Sequence, residues 1–186
     1  MIKINDIVAA SHFFIARYVR PGDTVVDATA GNGHDTLFLA KLTGPAGKVH
    51  SFDIQKEALD NTRALLANHG LGSRVSLHLD SHKNLAAHVE GEVRAIMFNL
   101  GYLPGGGQKI ATAAAETVAA LDSSLSVLAK GGIISVSTYS GHLGGREEEE
   151  QVAAWCNQLC PGKNTVMCLK VLNNENNPPK LWLIKG

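Results

Sequence analysis

An apolar stretch ending in a carboxylate, Val25-Val26-Asp27, runs directly into Ala28-Thr29-Ala30-Gly31-Asn32-Gly33-His34-Asp35-Thr36. This reads as a buried strand, a small-residue turn and the start of a helix. Gly31 and Gly33 remove the Cβ atoms that keep a ligand off a backbone, and they admit turn conformations closed to other residues. The amides that open the next helix have no intrahelical partners, so they favour a polar or anionic ligand end. Asp27 adds a carboxylate beside the turn. A pyrophosphate is repelled there, whereas a cationic group is welcome.

Strand and helix signals alternate along the rest of the chain. Helical spacing of apolar residues covers 4–19, strands are expected at 24–28, 48–53, 74–79, 93–98 and 133–139, and helices at 35–42, 55–68, 108–129 and 146–159. Lys130-Gly131-Gly132 is expected to end the long alanine-rich helix. Two closing strands, 165–171 and 181–185, flank a polar turn with no helix between them, so one of them should run antiparallel. Alternation of this kind gives an α/β fold: a seven-stranded, mostly parallel sheet with helices on both faces and a C-terminal hairpin. No internal repeat or linker breaks the chain, and a single domain over 1–186 is expected, with the N-terminal helix (1–20) covering the pocket.

Lysine plus arginine and aspartate plus glutamate number 17 each. Neutrality disfavours indiscriminate nucleic-acid binding, though a local patch suffices for a specific one. No apolar run reaches the roughly 20 residues that cross a bilayer, and no secretory leader is visible. The expectation is a cytoplasmic protein with no membrane or DNA partner. Cys156, Cys160 and Cys168 read as buried reduced thiols, and no metal is expected.

In an open parallel sheet the ligand lies beyond the C-terminal strand ends, near the point where strand order reverses. Candidate residues follow strand after strand. Asp53 ends the second strand about 20 residues past the glycine turn, where an acid takes both ribose hydroxyls; its plain alternative is a cap for the helix near Gln55. Asp80-Ser81-His82 follow the third strand, where a carboxylate suits an adenine amino group and a cap is again the alternative. Asn99-Leu100-Gly101-Tyr102-Leu103-Pro104 and three glycines follow the fourth, a costly loop that makes sense where backbone lies close to a ligand. Tyr139-Ser140-Gly141-His142-Leu143-Gly144-Gly145-Arg146 follow the fifth. With Asp27 against a pyrophosphate and a hairpin closing the sheet, the cofactor indicated is S-adenosylmethionine (SAM), held by Asp27, Thr29, Gly31, Asn32, Gly33, Asp35, Thr36, Asp53, Gln55, Asp80, Ser81, His82, Asn99 and Leu100. Asn99, Tyr102 and His142 are the catalytic candidates. Tyr102, Pro104, Tyr139, His142 and Arg146 are the substrate-side ones.

Three segments, 27–36, 98–106 and 139–145, together resemble the bacterial YtqB/MnmM-type family of class I, Rossmann-like SAM-dependent methyltransferases, a resemblance covering nearly the whole chain. It implies methylation of the 5-aminomethyl group of 5-aminomethyl-2-thiouridine at tRNA position 34, an anticodon-loop substrate, by a homodimer. An rRNA methyltransferase or a small-molecule amine N-methyltransferase of the same fold is the nearest alternative. A dinucleotide-dependent oxidoreductase is the alternative from another class; Thr36 in place of a third glycine speaks against it.

Overall fold

A computed structural model describes residues 6–101, 113–174 and 176–186. Seven strands form one sheet in the order β3-β2-β1-β4-β5-β7-β6. They are β1 (Thr24–Asp27), β2 (Lys48–Asp53), β3 (Val75–Leu79), β4 (Val93–Asn99), β5 (Leu128–Thr138), β6 (Thr165–Lys170) and β7 (Lys180–Lys185). The helices are α1 (Ile7–Tyr18), α2 (His34–Thr43), α3 (Lys56–Asn68), α4 (Leu85–His88), α5 (Ala114–Val127) and α6 (Gly145–Gln158). Strands β1 to β5 pair in parallel, while β7 runs antiparallel to both β5 and β6.

Alternation along the strands divides the core. Val26, Ile96, Phe98, Ile134 and Val136 face α4, α5 and α6, with Leu121, Val152 and Trp155 packed on them. Val25, Ala95, Met97, Ile133 and Leu183 face the other way, toward Ile15 of α1, Leu39 of α2 and Leu66 of α3. Both faces are covered, so strands such as β4 read as continuous apolar runs. On α5, Thr117, Ala120, Leu121 and Ser124 form the buried stripe, the spacing of one helical face. Thr117 Oγ1 donates to buried Glu148 of α6 at 2.6 Å, and Trp155 Nε1 donates to Asp122 at 2.8 Å. These two bonds fasten α5 to α6.

The structure departs from the sequence expectations at the α5–β5 junction. Lys130, Gly131 and Gly132 do not follow the helix; they lie inside β5, which starts at Leu128. The register against β4 jumps from Val93↔Leu128 to Ala95↔Ile133. That jump is an irregularity of the bulge kind, and Gly131 supplies its positive φ of 72°. Gly186 closes it, accepting from Gly131 N at 3.1 Å and donating to Gly132 O at 3.0 Å. Expected helix residues 108–112 lie outside the described residues. Of the three cysteines, Cys156 is buried, whereas Cys160 and Cys168 are exposed; on β6, Cys168 falls on an edge strand with no neighbour beyond it.

A Cβ on Gly132 would stand 2.9 Å from the carbonyls of Ala129 and Arg94. Gly132→Ala is therefore expected to cost about 1–3 kcal/mol in urea unfolding. A helix-terminal glycine in open loop would tolerate the change, so an unmoved midpoint contradicts the bulge.

Candidate active site

Strand order reverses between β1 and β4, and a cavity of about 770 Å³ opens beyond their C-terminal ends. That volume lies in the range of small-molecule and cofactor sites. Its walls take Thr29, Gly31, Asn32 and Asp35 from the first loop and helix, and Asp53, Ile54 and Gln55 from after β2. Asp80, Ser81 and His82 come from after β3, Asn99 and Leu100 from the end of β4, and Tyr139 and His142 from after β5. Five chain segments chosen from sequence thus converge on one space.

Asp27, Gly33 and Thr36 have a different place. None is on the cavity wall. Asp27 has no exposed surface and lies under the loop, where it accepts from Thr29 N at 3.1 Å and from Thr36 Oγ1 at 2.6 Å. Thr36 Oγ1 also bonds Ser51 Oγ at 2.8 Å. Burial, reinforced by the neighbouring Asp35 charge, pushes the Asp27 carboxyl up to about 7. The direct contact with a cationic ligand expected of Asp27 is replaced by an internal one: it holds β1, the loop and α2 together. Gly33 is glycine for packing as well as for its φ of 82°, since a Cβ there would fall 2.9 Å from Thr62 Cα of α3. Gly31, at φ 51°, is the glycine that meets the cavity.

Asp53 stands on the cavity wall and braces the backbone on both sides of it. Its carboxylate accepts from Gly31 N at 3.0 Å and Gln55 N at 2.9 Å, so it shapes the loop and the start of α3 while reaching the cavity. Ile54 beside it is a large apolar side chain with 58% exposure, an apolar surface next to an acid. Asp80 accepts from Ser81 N, Asn84 Nδ2 and His88 Nε2 at 2.7, 2.9 and 2.8 Å. Those bonds, led by His88, hold its carboxyl below the usual range. A carboxylate has about four acceptor positions, so one remains for a ligand. Ser81 Oγ donates to Glu116 of α5 at 2.9 Å. His82 Nδ1 lies 3.2 Å from Ala28 O, which can only accept, and burial lowers the pKa of the ring. His82 is a neutral wall residue fixed by the loop carbonyl.

At the opposite end, Asn99 N donates to Thr29 Oγ1 at 2.8 Å, and Leu100 N donates to Ser137 O at 2.9 Å. Asn99 Nδ2 lies 3.4 Å from Asp35 Oδ2. Asp35 Oδ1 in turn takes His12 Nε2 of α1 at 2.6 Å, with the imidazole stacked on Phe38 at 3.8 Å between centroids. Burial and the Asp35 charge push the Tyr139 hydroxyl up to about 12. His142 Nδ1 donates to Leu143 O at 3.0 Å, and Gly145 leaves room for the ring, since its Cβ would approach it to 2.9 Å. Arg146 does not reach the cavity; its side chain is 85% exposed and pairs with Glu150 at 3.0 Å. Tyr102 and Pro104 lie outside the described residues.

Sequence reasoning missed Ile54, Glu116 and Val8 on the wall; His12, on the N-terminal helix expected over the pocket, stands behind it. Helix α1 is a wall more than a cover: it packs on β4, β5 and β7, with Ser11 Oγ 2.6 Å from Ser135 Oγ. Val8, His12 and Ile15 share one helical face, a signal legible at i, i+4 and i+7; Glu116 had none. Among the described residues, no group of three His, Cys, Asp or Glu side chains could hold a metal ion. Nor is any helix long and apolar enough to cross a membrane.

The family model described as "Putative rRNA methylase" matches residues 49–185. The chain belongs to that family. A chloroplastic tRNA (mnm(5)s(2)U34)-methyltransferase of Arabidopsis thaliana is 38% identical over 94% of this chain and 68% of its own. The crystal structure of a Clostridium thermocellum protein described as an rRNA methylase superposes with a TM-score of 0.96 at 42% identity, covering 99% of both chains. A Streptococcus mutans protein described as a methyltransferase, solved with S-adenosylhomocysteine (SAH), superposes at 0.89 with 35% identity, covering 100% of this chain and 99% of that one. This family member is a SAM-dependent methyltransferase with the class I fold, and the lining of its cavity fits that cofactor: an acid at Asp53, an exposed apolar side chain at Ile54 and glycine backbone at Gly31.

Burial pushes the Asp27 carboxyl up to about 7 from an ordinary value of 3.8. Between those values the folded state holds the extra proton, so this group makes stability fall as pH rises from about 4 to about 7. Asp27→Asn removes the slope. Urea unfolding across that window should show wild type losing stability relative to the variant, and parallel curves would count against an acid buried with its proton.

Proposed function

We propose that this protein methylates RNA, and that its substrate is the 5-aminomethyl group of 5-aminomethyl-2-thiouridine at the wobble position of a tRNA anticodon loop, giving 5-methylaminomethyl-2-thiouridine. The reading is supported by the 38% identity to the Arabidopsis enzyme named for that nucleoside. The observation that carries it in the site is Asn99: with Nδ2 turned to Asp35 at 3.4 Å, its Oδ1 is the atom left to accept an N–H from a substrate amine.

SAM supplies an electrophilic methyl group on a sulfonium. Asp53 binds the ribose, with Gly31, Asn32 and Thr29 along the glycine loop. Asp80, Ser81, His82, Gln55 and Leu100 surround the base. Asn99 holds the amine, with Tyr102 and Pro104, outside the described residues, as further candidates; Tyr139 and His142 form the far wall, and the exposed Arg146 meets phosphate beyond it. A wobble base needs no duplex opened, and an aromatic ring at Tyr139 suits a splayed base. Most of the acceleration comes from holding amine and methyl group in line. A homodimer, part of the same proposal, would pool the scattered cations Arg17, Arg20 and Arg146 into a larger RNA-facing surface.

Calorimetry and methyl transfer to tRNA divide the roles. Asp53→Ala is expected to weaken SAM binding by at least about tenfold, the loss of a charge-assisted hydrogen bond. Asn99→Ala is expected to bind SAM normally and to lose turnover by about tenfold or more. Full turnover in Asn99→Ala would put the acceptor elsewhere.

A further inference from the structure

An amine that is to accept a methyl group has to lose a proton first, because an ammonium has no lone pair. The candidate acceptor wall holds few groups able to take it. Asn99 cannot. Tyr139 keeps its hydroxyl proton far above neutral pH. Asp35 is a carboxylate, it lies on the cavity wall, and one of its oxygens faces the Asn99 amide at 3.4 Å.

The rest of Asp35 is fixed to an unusual degree for a wall residue. Its side chain is only 8% exposed. His12 Nε2 holds Oδ1 at 2.6 Å, and the imidazole is itself clamped flat on Phe38, 5° from parallel. Phe38 sits one turn along α2 from Asp35, and His12 comes from α1, so two helices set the plane of one carboxylate. A ribose or capping role needs no such arrangement; Asp53, which braces Gly31 and the start of α3, stands on the wall without one. The charged and titratable groups turned toward Asp35 are His12 from α1, Asp27 from β1 and Tyr139 after β5.

We propose that Asp35, positioned by His12, is the proton acceptor for the substrate amine, in place of the cofactor-binding role its sequence position suggests; this rests on the aminomethyl reading above. The substrate ammonium donates to Asp35 Oδ2 and gives up that proton. The nitrogen keeps the electron pair of the broken N–H bond and forms its bond to the methyl carbon with it, as the carbon–sulfur bond breaks and its electrons stay on sulfur. The product leaves as a secondary ammonium, and the Asp35 carboxyl returns its proton to water past His12, whose side chain is 27% exposed. Asp35 is catalytic in this scheme. His12 is a positioning residue.

The test is kcat against pH for wild type, Asp35→Asn, His12→Ala, His12→Gln and His142→Asn, on tRNA carrying 5-aminomethyl-2-thiouridine, with SAM affinity measured by calorimetry for each. Asp35→Asn is expected to lose on the order of 100-fold at neutral pH and to recover as pH rises, because solvent then deprotonates the amine. SAM affinity should stay within about threefold of wild type. His12→Ala should lose about tenfold, restored in part by His12→Gln, which can still donate to Oδ1. A wild-type rate in Asp35→Asn, a loss equal at every pH, or a SAM affinity weakened tenfold each overturns the proposal; the last returns Asp35 to the cofactor. A pH-recoverable loss in His142→Asn alone moves the role to His142. Wild-type protein that transfers nothing to this tRNA removes the substrate reading, and the proposal with it.

Discussion

The arrangement depends first on one buried carboxyl group. Asp27 ends β1 with no exposed surface, and its oxygens take the Thr29 amide and the Thr36 hydroxyl. Those bonds turn the chain sharply out of the sheet and bring the start of α2 back over the strand end. Thr36 extends the grip to Ser51 of β2. Because a buried polar group left unpaired costs about 1–3 kcal/mol, each of these partners constrains the others. The loop shaped this way places Gly31 on the cavity and Asp35 beside Asn99.

Around that point the sheet contributes side chains by position. Each parallel strand releases its chain at the same edge, so Asp53, Asp80, Asn99 and Tyr139 arrive together although they are far apart in sequence. Polarity is sorted across the cavity. The acid and apolar pair Asp53–Ile54 lies at one end, and the amide, carboxylate and phenol of Asn99, Asp35 and Tyr139 lie together at the other. That division suits the proposed reaction, with the cofactor's nucleoside at one end and a polar acceptor at the other.

Much of this was legible because strand periodicity and strand-end position are local signals. Asp53, Asp80-Ser81-His82 and Asn99 were placed on the cavity by where their strands stop. Roles that depend on what lies behind a residue were not legible. Asp27 reads as a ligand contact until its burial shows that both oxygens face inward. Gly33 reads as a ligand-facing glycine until Thr62 of α3 is seen against it. Gly131 and Gly132 carry the composition of a helix stop, yet pairing with Gly186 and the register jump against β4 draw them into a strand. Arg146 has the right neighbours in sequence, but the start of α6 points it outward to Glu150. Glu116 reaches the site from a helix whose sequence gives no hint of it, since only the packing of α5 brings it there; His12 shares the inward face of α1, but its bond to Asp35 shows only in the fold.

The central claim is methyl transfer to an RNA amine, and nucleoside mass spectrometry tests it most directly. Purified protein and labelled SAM would be incubated with tRNA from cells lacking this gene, then the RNA digested. One labelled methyl group on 5-aminomethyl-2-thiouridine, yielding 5-methylaminomethyl-2-thiouridine, is the expected result. Unlabelled tRNA from a protein that still binds SAM would contradict it.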